Sequence, residues 1–150
     1  MMTFFVGVVD FSQGKMAYSS AGHNPPWLFK KDANAFTLNS LAATGTRLGE
    51  AMNAPPFEEK SIAVSVGDIL FMYTDGLTEG KNKTGDMYGK KKVRKRVEAS
   101  LSRGPAGVIS DLMKEFLAHN GEKPLDDDVT LAVASILKVG AAQRPEGLRT

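Results

Sequence analysis

Five apolar residues, Ile69 to Tyr73, run without a break and end on Thr74, Asp75 and Gly76. Gly67 and Asp68 mark a turn at the other end, so the segment reads as a short strand patterned for burial on both faces. It drives toward a carboxylate, and a buried charge without a partner is costly. Asp75 therefore needs a basic side chain, a cluster of backbone N–H groups or a metal ion.

The bounds on the chain are ordinary ones. Its 150 residues suit one domain with a real core, and 42% hydrophobic with 24% charged residues is the balance of a folded soluble protein. A net charge of +2 gives no broad electrostatic case for nucleic acid. The absence of cysteine excludes a disulfide framework and thiolate metal sites, and fits a cytoplasmic location. No apolar run approaches the roughly 20 residues that span a bilayer, so no membrane association is expected. The opening MMTFFVGVVD lacks a basic start, and Asp10 ends its apolar stretch too early for a signal peptide.

Strand patterns fill the first half. Phe4–Val9 and Lys15–Ser20 flank the turn FSQG, and WLFKK and AFTLN flank DAN, giving two hairpins. The glycines and prolines of LAATGTRLGEAMNAPP make a long loop, and Phe57 to Val66 alternates in part as a half-buried strand. The period then changes. Val93, Val97 and Leu101 form a helical stripe through the basic run Lys90 to Arg96. A second helix begins near Pro105 and carries Val108, Leu112 and Phe116 on its apolar face. An acidic turn, Asp126 to Asp128, feeds a final strand, Val129 to Leu137. Residues 1–138 are expected to form the domain and 139–150 a disordered tail.

Two apolar strands thus carry acids at one end: Asp75 after ILFMYT, and Asp126, Asp127 and Asp128 before VTLAVASIL. If these strands are antiparallel neighbours, their carboxylates converge, and converging carboxylates call for a cation such as Mg²⁺ or Mn²⁺. Gly76 would let the backbone approach such an ion closely. On spacing alone, an Asp-Gly turn is the better explanation of Asp75, and a solvated turn explains part of the Asp126–Asp128 run. His23, in AGHNPP, reads as part of a rigid loop, and His119 as a favourable charge near a helix C-terminus. The basic run reads as a solvated helix face, since no aromatic residues interleave with it.

Four segments stand in one order: SSAGHNPPWLF, GTRLGE, VGDILFMYTDGLTEGKNKTGDMYG and DDDVTL. In that order and spacing the chain resembles the SpoIIE-like branch of the metal-dependent (type 2C) serine/threonine protein phosphatases, from about Thr3 to Leu137. The resemblance implies an α+β fold, part of an α-β-β-α sandwich of antiparallel sheets flanked by helices. It implies a two-metal Mn²⁺ or Mg²⁺ centre whose activated water attacks a phosphoserine or phosphothreonine. The family's TDG aspartate matches Asp75 and the first aspartate of its D-D/N-x-T/S motif matches Asp127, both as metal ligands; Gly76 and Asp128 are the secondary candidates. The substrate implied is a phosphorylated regulatory protein such as an anti-sigma-factor antagonist.

The family's earlier D-x-x-G-H-G motif has no match here. The chain is accordingly expected to begin inside the family domain, to have very low activity alone, and to self-associate as a homo-oligomer. Two functions stay open at this point. One is a protein phosphatase; the other is a catalytically incomplete, phosphatase-like binding or assembly module.

Overall fold

Alternation along each strand decides which layer it faces. The computed structural model describes residues 1–33, 35–50, 56–121 and 124–140. Among these residues seven strands form two antiparallel sheets, and the helices follow in the second half of the chain. The first sheet has the order β1-β2-β5, from Phe4–Asp10, Lys15–Ala21 and Glu59–Ala63. The second has the order β4-β3-β6-β7, from Ala35–Ser40, Trp27–Asp32, Ile69–Tyr73 and Leu131–Ser135.

The expected burial of Ile69–Tyr73 on both faces is found. Ile69, Phe71 and Tyr73 point to the helices, and Leu70 points to the other sheet. Trp27 is in register with Phe71, and the two rings stack at 5.6 Å between centroids. Against this face pack α2 (Lys90–Ser100) through Val93 and Val97, and α3 (Gly104–Asn120) through Val108, Leu112 and Phe116. Pro105 sits in the first turn of α3, where its missing N–H costs nothing. A smaller core between the sheets joins Met16, Tyr18 and Val64 to Leu28, Leu41 and Ile136.

Asp68 anchors the turn into β6. It is fully buried, and its carboxylate accepts the N–H groups of Lys31 at 2.9 Å and Ser65 at 2.8 Å. Lys30 Nζ completes the set at 2.8 Å. The sequence marked Asp68 only as a turn residue. It is a structural centre that ties β3 to β6.

The basic run does lie on a solvated face. Val93 and Val97 are buried while Lys90, Lys91 and Lys92 are exposed, and Arg94 pairs with Glu98 at 2.8 Å one helical turn away. Arg96 turns inward to Glu115, which also accepts the Tyr88 hydroxyl at 3.0 Å. Burial, and then the Glu115 carboxylate, push the Tyr88 phenol well above its ordinary range. His119 does sit in the last turn of α3, yet it also has a partner that the sequence did not suggest. Its Nε2 bonds to the Asp86 carbonyl at 3.0 Å and its ring lies 5.3 Å from Tyr88, so it pins the 82–86 turn to the helix.

Phe4–Val9 behaves differently from Ile69–Tyr73. As an edge strand β1 turns Phe5 and Val9 inward and leaves Phe4, Val6 and Val8 at 49%, 44% and 65% exposure. Among the described residues the helices cover the four-stranded sheet, and no helix covers the outer face of the three-stranded one. Beyond β7, Val139 packs on the inter-sheet core and the Gly140 N–H donates to the Phe11 carbonyl at 2.8 Å. The rest of the expected tail, 141–150, lies outside the described residues.

Candidate functional site

The antiparallel neighbours that the two acid-bearing strands required are present. β6 pairs with β7, with Tyr73 opposite Leu131, so the end of one strand and the approach to the other share a sheet edge. Thr74 fastens them: its N–H donates to the Thr130 carbonyl at 3.1 Å, and its hydroxyl donates to the Asp128 carbonyl at 3.1 Å. The same hydroxyl accepts the Thr130 N–H at 3.0 Å.

Asp75 then opens α1 (Asp75–Glu79), a short helix where the sequence suggested only a turn. The Thr78 hydroxyl donates to the Asp75 carbonyl at 3.0 Å and closes its single turn. Gly76 is buried beneath the acidic segment. A Cβ built there would stand 2.4 Å from the Asp128 carbonyl oxygen and 3.5 Å from the Asp127 carbonyl carbon. Only a glycine lets the 127–128 backbone lie so close, and this places Asp75 and Asp127 at one end of the fold. The glycine's role is thus one of close backbone approach, here to another strand's lead-in.

Asp75, Asp127 and Asp128 are all exposed, and Asp127 Oδ1 accepts the Asp128 N–H at 2.7 Å. Among the described residues no group of three or more His, Asp or Glu is gathered to hold an ion. The donor set suits a hard divalent cation in kind, since it consists of carboxylate oxygens. The two carboxylates assigned as ligands, Asp75 and Asp127, would leave most of the coordination sphere to water.

A polar cavity of about 340 Å³ opens beside Asp75. Glu79, His23, Asn24 and Arg47 share its lining. His23 does belong to a fixed loop, for its Nδ1 donates to the Asn24 carbonyl at 2.8 Å, but it also borders this cavity. A second, apolar cavity of about 270 Å³ also has His23 in its lining, with Phe5, Pro26 and Tyr73. Arg47, Asn24 and Glu79 were missed as site residues. Arg47 and Asn24 do stand in two of the ordered motifs, and Glu79 lies four positions after Asp75, the spacing of one helix face.

Comparison with known proteins places this geometry. The family described as Stage II sporulation protein E (SpoIIE) matches residues 1–137. Protein IcfG of Synechocystis sp. is 29% identical over 132 residues, which are 87% of this chain and 20% of IcfG. The phosphoserine phosphatase RsbU of Bacillus subtilis is 24% identical over 132 residues, 88% of this chain and 38% of RsbU. The chain thus spans well under half of these relatives. Among solved structures, that of the RsbU and RsbW domains of Rv1364c from Mycobacterium tuberculosis superposes with a TM-score of 0.69 at 27% identity, covering 93% of this chain and 37% of that one. Together with two antiparallel sheets, a helix layer and the TDG and D-D-x-T segments meeting at Gly76, the match over residues 1–137 shows that the chain belongs to the SpoIIE family of phosphatase domains.

Proposed function

We propose that the chain contributes the Asp75–Asp127 half of a metal-dependent phosphoserine/phosphothreonine protein phosphatase site. The observation that carries this reading is the meeting of the two acid-bearing segments over Gly76, with Asp75 in the lining of a polar cavity. Asp75 and Asp127 are the ligands for Mn²⁺ or Mg²⁺, with Gly76 and Asp128 supporting them through their backbone. When bound, such ions sharpen a coordinated water as a nucleophile and offset charge on phosphoryl oxygens. The chain's own part is to hold the two carboxylates in register through Thr74 and to keep the cavity open for a phosphorylated side chain. The proposed substrate is a phosphorylated regulatory protein such as an anti-sigma-factor antagonist, in the cytoplasm.

Calorimetric titration of Mn²⁺ into wild type, Asp75→Asn and Asp127→Asn tests the ligand assignment. Weak binding by wild type, further weakened about tenfold or more in each variant, is the expected result. Equal binding by all three proteins would remove both residues from the site. Turnover of an aryl phosphate by this chain with Mn²⁺ is expected to be very low, because two carboxylates do not hold a metal pair at a fixed spacing. Robust turnover that disappears in Asp127→Asn would refute that part.

The bare outer face of the three-stranded sheet favours a second proposal, self-association. Phe4, Val6 and Val8 form an apolar row on an edge strand, which is the arrangement that recruits another strand or face. A second copy is the occupant proposed, and two-fold pairing is the commonest solution. Light scattering across a dilution series should show a dimer or larger species that Val6→Lys shifts to monomer. A monomer at every concentration in wild type would overturn it.

A further inference from the structure

The polar cavity carries both signs of charge. Asp75 and Glu79 line it together with Arg47 and Asn24. Lys90 Nζ reaches Asn24 Oδ1 at 3.5 Å, which brings a second cation next to a residue of the lining. An anion entering the cavity meets repulsion from the carboxylates, so it can be held only by Arg47, the one Arg or Lys in the lining.

Arg47 is placed there by its backbone surroundings. Gly22 has φ +67, in the left-handed region that favours glycine, and a Cβ there would stand 2.9 Å from Arg47 Cγ. The missing side chain at Gly22 is therefore the space that the Arg47 stem occupies, next to His23 in the same loop. The Arg47 N–H donates to Glu50 Oε2 at 3.1 Å, which fixes the backbone at that point. Glu50 approaches the side chain only at Nε, at 3.9 Å, and it is the one carboxylate within 4 Å of Arg47 among the described residues. At 56% exposure the guanidinium keeps its fork of donors open to a ligand.

We propose that Arg47 is the phosphoryl-recognising residue of this cavity. Its guanidinium takes the oxygens of a phosphoserine or phosphothreonine side chain presented by a partner protein, and Lys90 adds a point charge at the rim. Planar guanidinium groups bind phosphate through two parallel hydrogen bonds, whereas an ammonium acts as a single charge. The assignment rests on the phosphatase reading of the same site and deepens it by naming where the phosphoryl group is held. It also explains why the GTRLGE loop, far from Asp75 in sequence, closes over the loop that carries His23. Arg47 is a binding residue here, and no proton transfer is assigned to it.

The test uses the full chain and one short peptide in serine, glutamate and phosphoserine versions, with inorganic phosphate as a fourth probe. Amide and arginine side-chain resonances are followed by NMR, without metal. The phosphoserine peptide should shift the Gly22 to Asn24 amides and the Arg47 Nε–H, with the serine and glutamate versions at least tenfold weaker. Arg47→Ala should weaken phosphoserine binding about tenfold, a loss of about 1.4 kcal/mol, and Arg47→Lys should recover only part of it. Gly22→Ala should also weaken binding although the guanidinium remains, and Arg94→Ala, on the solvated face of α2, should change nothing.

Equal binding by wild type and Arg47→Ala, equal binding of the glutamate and phosphoserine peptides, or no shift at millimolar peptide would each overturn the assignment. Binding of inorganic phosphate alone, with the phosphopeptide excluded, would overturn the protein-substrate part. The Mn²⁺ titration of Asp75→Asn fails or succeeds separately, so loss of the metal reading and loss of this one are told apart.

Discussion

Asp68→Ala is expected to lower the stability of the chain by about 3–5 kcal/mol, the cost of breaking a buried ion pair by removing one partner. The loss has two sources. Removal of the carboxylate leaves the N–H groups of Lys31 and Ser65 without their acceptor in a part-buried turn, where a fully buried orphaned donor would cost about 1–3 kcal/mol. Lys30 loses its counter-ion as well, but its side chain is 27% exposed and regains water in part, so the donors decide the outcome. Asp68→Asn keeps one acceptor oxygen and should cost less. For a chain of this size the alanine variant should melt on the order of 10 °C lower. Urea unfolding monitored by Trp27 fluorescence measures it, and a loss below about 1 kcal/mol would mean that water already serves this turn.

Gly76→Ala should destabilise the fold and disconnect the two acids. Helix propensity alone predicts the opposite sign, because alanine in place of glycine within a helix contributes about 1 kcal/mol. The clash outweighs that gain. A Cβ at this position meets the Asp128 carbonyl oxygen at 2.4 Å, and a backbone atom cannot swing aside as a flexible side chain does. Overpacking of that kind costs about 1–3 kcal/mol, and relief must come by moving the 127–128 segment away from Asp75. Mn²⁺ affinity should therefore fall at least as far as in Asp127→Asn, though no ligand has been removed. A variant as stable as wild type with unchanged Mn²⁺ binding would show that the two segments need not touch.

These two residues also mark what a sequence can disclose. Ile69–Tyr73 was legible because five apolar residues between turn signals permit little else, and the helical stripe of Val93 and Val97 survived a basic run because its period is independent of charge. That the Asp75 and Asp127 segments share one sheet edge was legible as a condition, that their strands be antiparallel neighbours, and the pairing of β6 with β7 meets it. Asp68 and Arg47 were not legible. Their roles depend on β3 lying beside β6, and on a loop crossing Gly22, and no local pattern encodes either adjacency. Phe4–Val9 shows a related limit: a continuous apolar run looks the same whether its second face meets the core or stands at a sheet edge.

The place of β7 at the rim of its sheet gives metal occupancy a mechanical meaning. An outermost strand can detach at less free energy than the whole fold, and β7 is held by β6 on one side and by the helix-facing core beneath it. When it detaches, Asp127 departs from Asp75 while the rest of the domain stays folded. In the proposed site an ion bound across both acids would bind only the attached form, and by linkage it would close β7 down in proportion to its own affinity. Amide protons of Leu131 to Ser135 should then exchange more slowly with solvent as Mn²⁺ is added, while those of β3 stay as they were, so that the strand's edge reports the state of the site.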